Sequence, residues 1–138
     1  MQDIVQRHYP RVLSIAGSDS GGCAGIQADL KTCSALGCFG MTAITAITAQ
    51  NTLGVQALQT LTPELLRAQI DSVVADIGVD AVKIGMLHSP EIVQVVADAL
   101  RRYELKHVVL DPVMVASSGD QLIAAETVEV LVRELFPL

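Results

Sequence analysis

The densest group of residues able to do chemistry lies early in the chain: Ala16-Gly17-Ser18-Asp19-Ser20-Gly21-Gly22-Cys23-Ala24-Gly25-Ile26-Gln27-Ala28-Asp29-Leu30-Lys31. It holds four glycines, at positions 17, 21, 22 and 25, between an apolar run and a helical pattern. A strand feeding a glycine-rich turn at a helix N-terminus exposes backbone N–H groups and lets a ligand approach the main chain closely. Asp19 and Asp29 add carboxylates and Cys23 adds a thiol. A thiol pKa falls near a helix N-terminus, but no histidine neighbours Cys23 in sequence to act as its base. Later candidates are Gln50-Asn51, Gly85-Met86-Leu87-His88 and Asp111-Pro112-Val113-Met114.

Each candidate also has a plain structural reading. Gln50 reads from periodicity as a strand-end amide facing water. Asp29 reads as a first-turn carboxylate favouring the helix dipole, and Asp111 as an Asx turn at a strand end. Ala24, Met86 and Val113 read as packing. Lys83 is an interior strand lysine whose charge must reach a partner or solvent. His88 reads as a surface loop residue.

The elements that must hold these residues alternate along the chain. Val12 begins a short apolar strand, and residues 1–11 are expected to be flexible. Ile26, Leu30, Cys33 and Leu36 repeat on one helical face, and Gly37 stands where a left-handed cap belongs. Met41–Ala49 is β-branched and alanine-rich and reads as a central strand with helices packed on both faces. Thr52–Thr60 reads as a short additional strand broken at Gly54. Thr62-Pro63-Glu64 and Ser89-Pro90-Glu91 are two helix starts: an N-cap, a proline at N1 and an acid in the first turn. Strands are expected at Ala81–Met86 and His107–Asp111, a loop over Pro112–Gln121, and a last helix carrying Val128, Leu131, Val132 and Leu135. Strands alternating with helices of this length mean βαβ units and a mostly parallel sheet, one α/β domain over residues 1–138. Ligands of such sheets sit beyond the C-terminal strand ends, where the candidate residues fall.

Composition narrows the classes. Half of the residues are hydrophobic (51%) and only 17% are charged, which suits a sheet buried on both faces. With two Tyr, two Phe and no Trp, the core must be aliphatic. A net charge of −6, with no basic cluster beyond Arg101-Arg102, argues against nucleic acid as a partner. No apolar run reaches membrane-spanning length and no signal-peptide pattern opens the chain, so a cytoplasmic protein is expected. Cys23, Cys33 and Cys38 form no C-x-x-C pair and read as reduced thiols rather than a metal site. The glycine loop is neither G-x-G-x-x-G nor a Walker A loop, so pattern alone assigns no dinucleotide or P-loop site.

The loop does match a family. Residues 16–31 closely resemble the N-terminal substrate loop of the bacterial hydroxymethylpyrimidine/phosphomethylpyrimidine kinases of thiamine biosynthesis, members of the ribokinase-like superfamily. Three further blocks follow at family spacing: Thr48-Ala49-Gln50-Asn51-Thr52 with Gly54-Val55, Lys83-Ile84-Gly85-Met86-Leu87, and Val109-Leu110-Asp111-Pro112-Val113-Met114 with Ser118-Gly119-Asp120. The resemblance implies a phosphotransferase, dependent on ATP and Mg2+, acting on 4-amino-5-hydroxymethyl-2-methylpyrimidine and then on its monophosphate. It implies that Gln50 reads the pyrimidine, its amide donating and accepting at once. It also implies substrate-loop roles for Asp19, Asp29 and Gly17, pocket-wall roles for Ala24, Met86 and Val113, and a magnesium-side or phosphate-side place for Asp111. A homodimer is implied as well.

One departure matters. Family members continue through further strands to a second glycine-rich anion loop that supplies the catalytic base position, the phosphate cradle and much of the ATP site. No such loop follows here. The expectation is the substrate-binding half of a ribokinase-like kinase, with no catalytic residue within this chain and no turnover alone. A fragment of a pyridoxal-kinase-like enzyme and a non-catalytic pyrimidine-binding α/β module are the alternatives.

Overall fold

The computed structural model describes residues 8–114 and 123–138. Among the described residues nine elements follow in the expected order: β1 Arg11–Asp19, α1 Gly25–Ala35, β2 Phe39–Asn51, β3 Gly54–Thr60, α2 Pro63–Asp76, β4 Ala81–Ile84, α3 Pro90–Arg102, β5 Val108–Leu110 and α4 Ala125–Glu134. The sheet order is β3-β2-β1-β4-β5. The pairs β1/β2, β1/β4 and β4/β5 are parallel and β2/β3 is antiparallel. The mostly parallel α/β sheet read from the sequence is therefore present. Ser118, Gly119 and Asp120, and most of the expected 112–121 loop, lie outside the described residues. The same holds for residues 1–7 of the segment expected to be flexible, while Arg11 already belongs to β1.

The central strand is β1, not the Met41–Ala49 run. β2 stands one place from the edge because the chain turns back at Thr52-Leu53 and β3 pairs along its outer side. Gly54 opens β3 rather than breaking it. The last part of β2 is left uncovered, with Ile47 48% exposed. A β-branched, alanine-rich run signals a strand but carries no information about its order in the sheet.

One face of the sheet carries most of the core. Leu13 and Ile15 of β1, Met41 and Ala43 of β2, and Val82 and Ile84 of β4 pack with Leu66 and Ile70 of α2 and with α3. Helix α3 contacts both α2 and α4, which explains why seven of its residues are buried. The two proline-marked starts behave as read: Thr62 Oγ1 accepts from Leu65 N at 3.3 Å and Ser89 Oγ accepts from Ile92 N at 3.4 Å.

On the opposite face α1 packs against β1 and β2. Its expected apolar stripe is only partly buried: Ile26 is enclosed, Cys33 is half-buried and Leu36 is 75% exposed. Periodicity assigns residues to a common face; whether a neighbour covers that face depends on tertiary packing. Gly37 does cap the helix, with φ +72° and a hydrogen bond from Cys38 N to Cys33 O at 2.8 Å.

Arg11 ties the start of β1 to that of β4. Its Nε and Nη2 donate to the two oxygens of Asp80 at 2.9 and 2.6 Å, and its backbone N–H donates to the same carboxylate at 2.8 Å. The Arg11 side chain holds the Asp80 carboxyl far below the usual carboxylate range. A depressed folded-state pKa stabilises fully above the unfolded value near 4 and loses that stabilisation as pH falls through the folded value. Asp80→Asn should therefore lower the melting temperature at pH 7, and the gap from the parent should narrow progressively below about pH 4. A pH-independent gap in thermal melts would show that the Asp80 charge is not what matters.

Candidate functional site

A cleft of about 440 Å3 opens at the C-terminal ends of β1, β2 and β4. The seven residues assigned to substrate by resemblance all line it: Gly17 and Asp19 from the end of β1, Ala24 from the loop, Asp29 from α1, Gln50 from β2, and Met86 and Val113 from the segments after β4 and β5. Asp111 lines it too. Gly17 forms part of the floor, where an added Cβ would stand 3.2 Å from the Met86 methyl.

The loop is drawn together by Asp19. This buried carboxylate accepts from Gly21 N at 2.8 Å, Cys23 N at 2.9 Å and Ala24 N at 2.8 Å. Burial pushes its pKa up, but the backbone N–H groups of Ala24, Gly21, Cys23 and Gly22 outweigh that, and the carboxyl sits below its ordinary value. Gln27 adds a second tie: its Oε1 accepts from Asp19 N at 2.8 Å and its Nε2 donates to Ser18 Oγ at 2.7 Å. Lys31 Nζ donates to Gly22 O at 2.7 Å, closing the loop from the helix side. The Asp19 carboxylate thus takes N–H groups of the loop just before α1, a helix that itself has no side-chain cap.

Two further ties join the loop to β2. Ser20 Oγ donates to Gln50 O at 2.8 Å and accepts from Gln50 N at 2.8 Å. Gly21 permits this approach, since a Cβ there would come within 3.1 Å of Gln50 O.

A polar chain crosses the α1 face of the sheet. Ser14 Oγ donates to Asp29 Oδ2 at 2.6 Å, and Lys83 Nζ reaches the same carboxylate at 3.1 and 3.2 Å. Lys83 also stands 3.8 Å from Asp111 Oδ2. Its side chain is 27% exposed and that of Asp29 17%, so the pair is partly shielded from water. The strand lysine thus finds the partner its charge requires and joins the two carboxylates of the cleft. Sequence reasoning did not place Lys83 in the site; a lysine inside an apolar strand was the available signal. The hairpin turn around Thr52–Val55 also lines the cleft, a role that neither its strand pattern nor its place in a family block assigns to it.

Among the described residues no three His, Cys, Asp or Glu side chains cluster as a metal site. Asp111, with its side chain 57% exposed, offers a single carboxylate. That donor set suits Mg2+ only where phosphate oxygens and water complete the shell. Cys23 is exposed, with Sγ 3.7 Å from Gly21 O, and burial pushes the half-buried Cys33 thiol up. His88 departs from expectation. It is half-buried rather than at the surface, its Nδ1 has no hydrogen-bond partner among the described residues, and burial lowers its pKa.

Gly25 is the tightest point of the loop. Its φ is +56° and a Cβ would fall onto the carbonyl oxygen of Gly17. Gly37 also has positive φ, but nothing lies within 4 Å of a Cβ there. Gly25→Ala should cost about 2–4 kcal/mol and loosen residues 19–25 to protease, whereas Gly37→Ala should cost about 1 kcal/mol. Equal losses in denaturant titrations would contradict a role for the Gly25–Gly17 contact.

This arrangement has close counterparts. The family model for phosphomethylpyrimidine kinase matches residues 19–138. The hydroxymethylpyrimidine/phosphomethylpyrimidine kinase of Rhizobium meliloti (strain 1021) is 58% identical over 126 residues, 91% of this chain and 47% of the relative. The crystal structure of phosphomethylpyrimidine kinase from Clostridium difficile 630 superposes with a TM-score of 0.87 at 52% identity, covering 93% of this chain and 55% of that one. The pyridoxal kinase of Staphylococcus aureus, solved with AMP-PCP and pyridoxal, superposes with a TM-score of 0.82 at 32% identity, over 95% of this chain and 46% of that one. The chain spans about half the length of the curated relatives it matches. With the mostly parallel sheet, the glycine loop and the matched residues 19–138 in hand, the chain belongs to the phosphomethylpyrimidine kinase family.

Proposed function

We propose that this chain is the acceptor-binding half of a kinase that phosphorylates 4-amino-5-hydroxymethyl-2-methylpyrimidine and its monophosphate in thiamine biosynthesis. Residues 1–138 act in this reading as one α/β unit. The observation that carries it is the convergence of Gly17, Asp19, Ala24, Asp29, Gln50, Met86 and Val113 on one cleft. Met86, Ala24 and Val113 give apolar walls for a flat ring, the Gln50 amide supplies a donor and an acceptor for its edge, and Asp29, paired with Lys83, accepts from the ligand. Backbone approach to the ring accounts for the glycine at 17.

The established chemistry of such kinases is phosphoryl transfer from ATP with Mg2+. In this chain Asp111 would hold Mg2+ together with phosphate oxygens, close to the Lys83 charge. In this reading the chain binds and orients the acceptor and does not turn over ATP alone. The homodimer reading is supported by the apolar side chains exposed on the β2–β3 hairpin, Ile47, Leu53 and Leu58. Among the described residues no helix is long and apolar enough to cross a membrane; a cytoplasmic setting is part of the proposal.

Calorimetry with the hydroxymethyl-aminopyrimidine and with pyridoxal tests the acceptor. The pyrimidine should bind about tenfold or more tighter, and Gln50→Ala should cost it about 10–100-fold through the lost hydrogen bonds. Equal affinity for both rings would point to the pyridoxal-kinase-like alternative. ADP release by the 138-residue chain with the pyrimidine would contradict the claim that it lacks the donor half.

A further inference from the structure

The β4–β5 side of the cleft is short of positive charge. Among the described residues lining it, Lys83 is the single cation, set against the carboxylates of Asp19, Asp29 and Asp111. Asp19 is satisfied by its own loop. Lys83 and Ser14 stand opposite each other in the β1/β4 register, and both turn to Asp29. The ammonium lies 3.1 and 3.2 Å from the two Asp29 oxygens but 3.8 Å from Asp111 Oδ2, beyond hydrogen-bond reach. Gly85 leaves room for this pose, since a Cβ there would stand 3.3 Å from Lys83 Nζ. One positive charge therefore serves two carboxylates, and Asp29 has the larger share. Asp111, with its side chain 57% exposed, depends mainly on water.

A neutral alcohol and a phosphate monoester meet this arrangement differently. A hydroxymethyl group is uncharged and can donate its proton to the Asp111 carboxylate. A phosphate monoester carries nearly two negative charges above its second pKa of about 6, and beside Asp111 it faces an uncompensated like charge. Moving Lys83 across would only transfer the deficit to Asp29, whose side chain is the less exposed of the two carboxylates. Asp111 alone is a single carboxylate, too poor a donor set to hold Mg2+; Asp111 with phosphate oxygens and water is an adequate one.

We propose that Asp111 makes divalent-cation binding conditional on the acceptor: the cleft takes up Mg2+ together with the pyrimidine monophosphate, and not with the unphosphorylated alcohol, without any nucleotide. The proposal rests on the cleft being the pyrimidine site. Linkage is reciprocal, so Mg2+ raises the affinity for the monophosphate by the factor by which the monophosphate raises that for Mg2+. The alcohol brings no phosphate oxygens and creates no such coupling.

Calorimetry on the 138-residue chain at about pH 8, in EDTA or in excess MgCl2 with ionic strength matched by NaCl, reads the coupling. Mg2+ should tighten the monophosphate by about tenfold or more and change the alcohol by less than about twofold. In Asp111→Asn the monophosphate should bind tighter than it binds the parent in EDTA, and most of the Mg2+ gain should vanish. Alcohol binding in the parent, together with a monophosphate affinity indifferent to Mg2+, overturns the proposal and leaves the pyrimidine reading standing. A Mg2+ gain that Asp111→Asn retains in full overturns it as well. Failure of both ligands to bind the parent in either buffer overturns the pyrimidine reading, and this proposal with it.

Discussion

The site depends on one carboxylate. Asp19 sits at the end of the central strand and gathers the N–H groups of Gly21, Cys23 and Ala24 around itself. A buried carboxylate needs such donors to stay ionised, and the N–H groups of the turn before α1 need an acceptor, so each satisfies the other. The consequence reaches function. Glycine loops at helix starts commonly bind phosphate, but this one has internalised its anion. What it presents to the cleft is main chain and small side chains at close range, the surface a flat neutral ring requires. The loop is a rigid wall, tied at Ser18 by Gln27, at Gly22 by Lys31 and at Gln50 by Ser20.

The sheet topology explains why these parts meet. With β1 in the middle and β2 and β4 parallel to it on either side, the residues after each strand emerge at one end. Gly17, Gln50 and Met86 are far apart in sequence and converge for that reason alone. The heavily packed face, with α2, α3 and α4, supplies the rigidity. The face under α1 carries the polar chain Ser14–Asp29–Lys83–Asp111, which sets charge at the cleft without entering the core. Interior polarity is tolerated there because every charge in the chain has a partner.

Much of this was legible in the sequence where the determinants are local. The starts of α2 and α3 were visible in Thr62-Pro63 and Ser89-Pro90, because capping is settled within four residues. Gly37 was visible as a helix stop for the same reason. The order of strands is not: the Met41–Ala49 run reads as central, and the β3 hairpin that displaces it depends on a turn whose pairing partner is set by the whole sheet. The α1 stripe was real as a pattern but not as burial, as the exposed Leu36 shows. At the site, residue types and topology together located the cleft. The division of labour within it needed side-chain geometry. Nothing in the string of letters says that Asp19 folds back on its own loop, that Lys83 bridges two carboxylates, or that the hydroxyl of Thr48 meets the amide of Gln50.

The central claim is that this cleft receives the aminopyrimidine. The most direct test is a 15N–1H spectrum of the labelled chain titrated with 4-amino-5-hydroxymethyl-2-methylpyrimidine. Saturable shifts at the Gly17 and Met86 amides and at the Gln50 side chain, with α2 and α3 unmoved, are predicted. Shifts that fail to saturate, or that concentrate away from the strand ends, would contradict it.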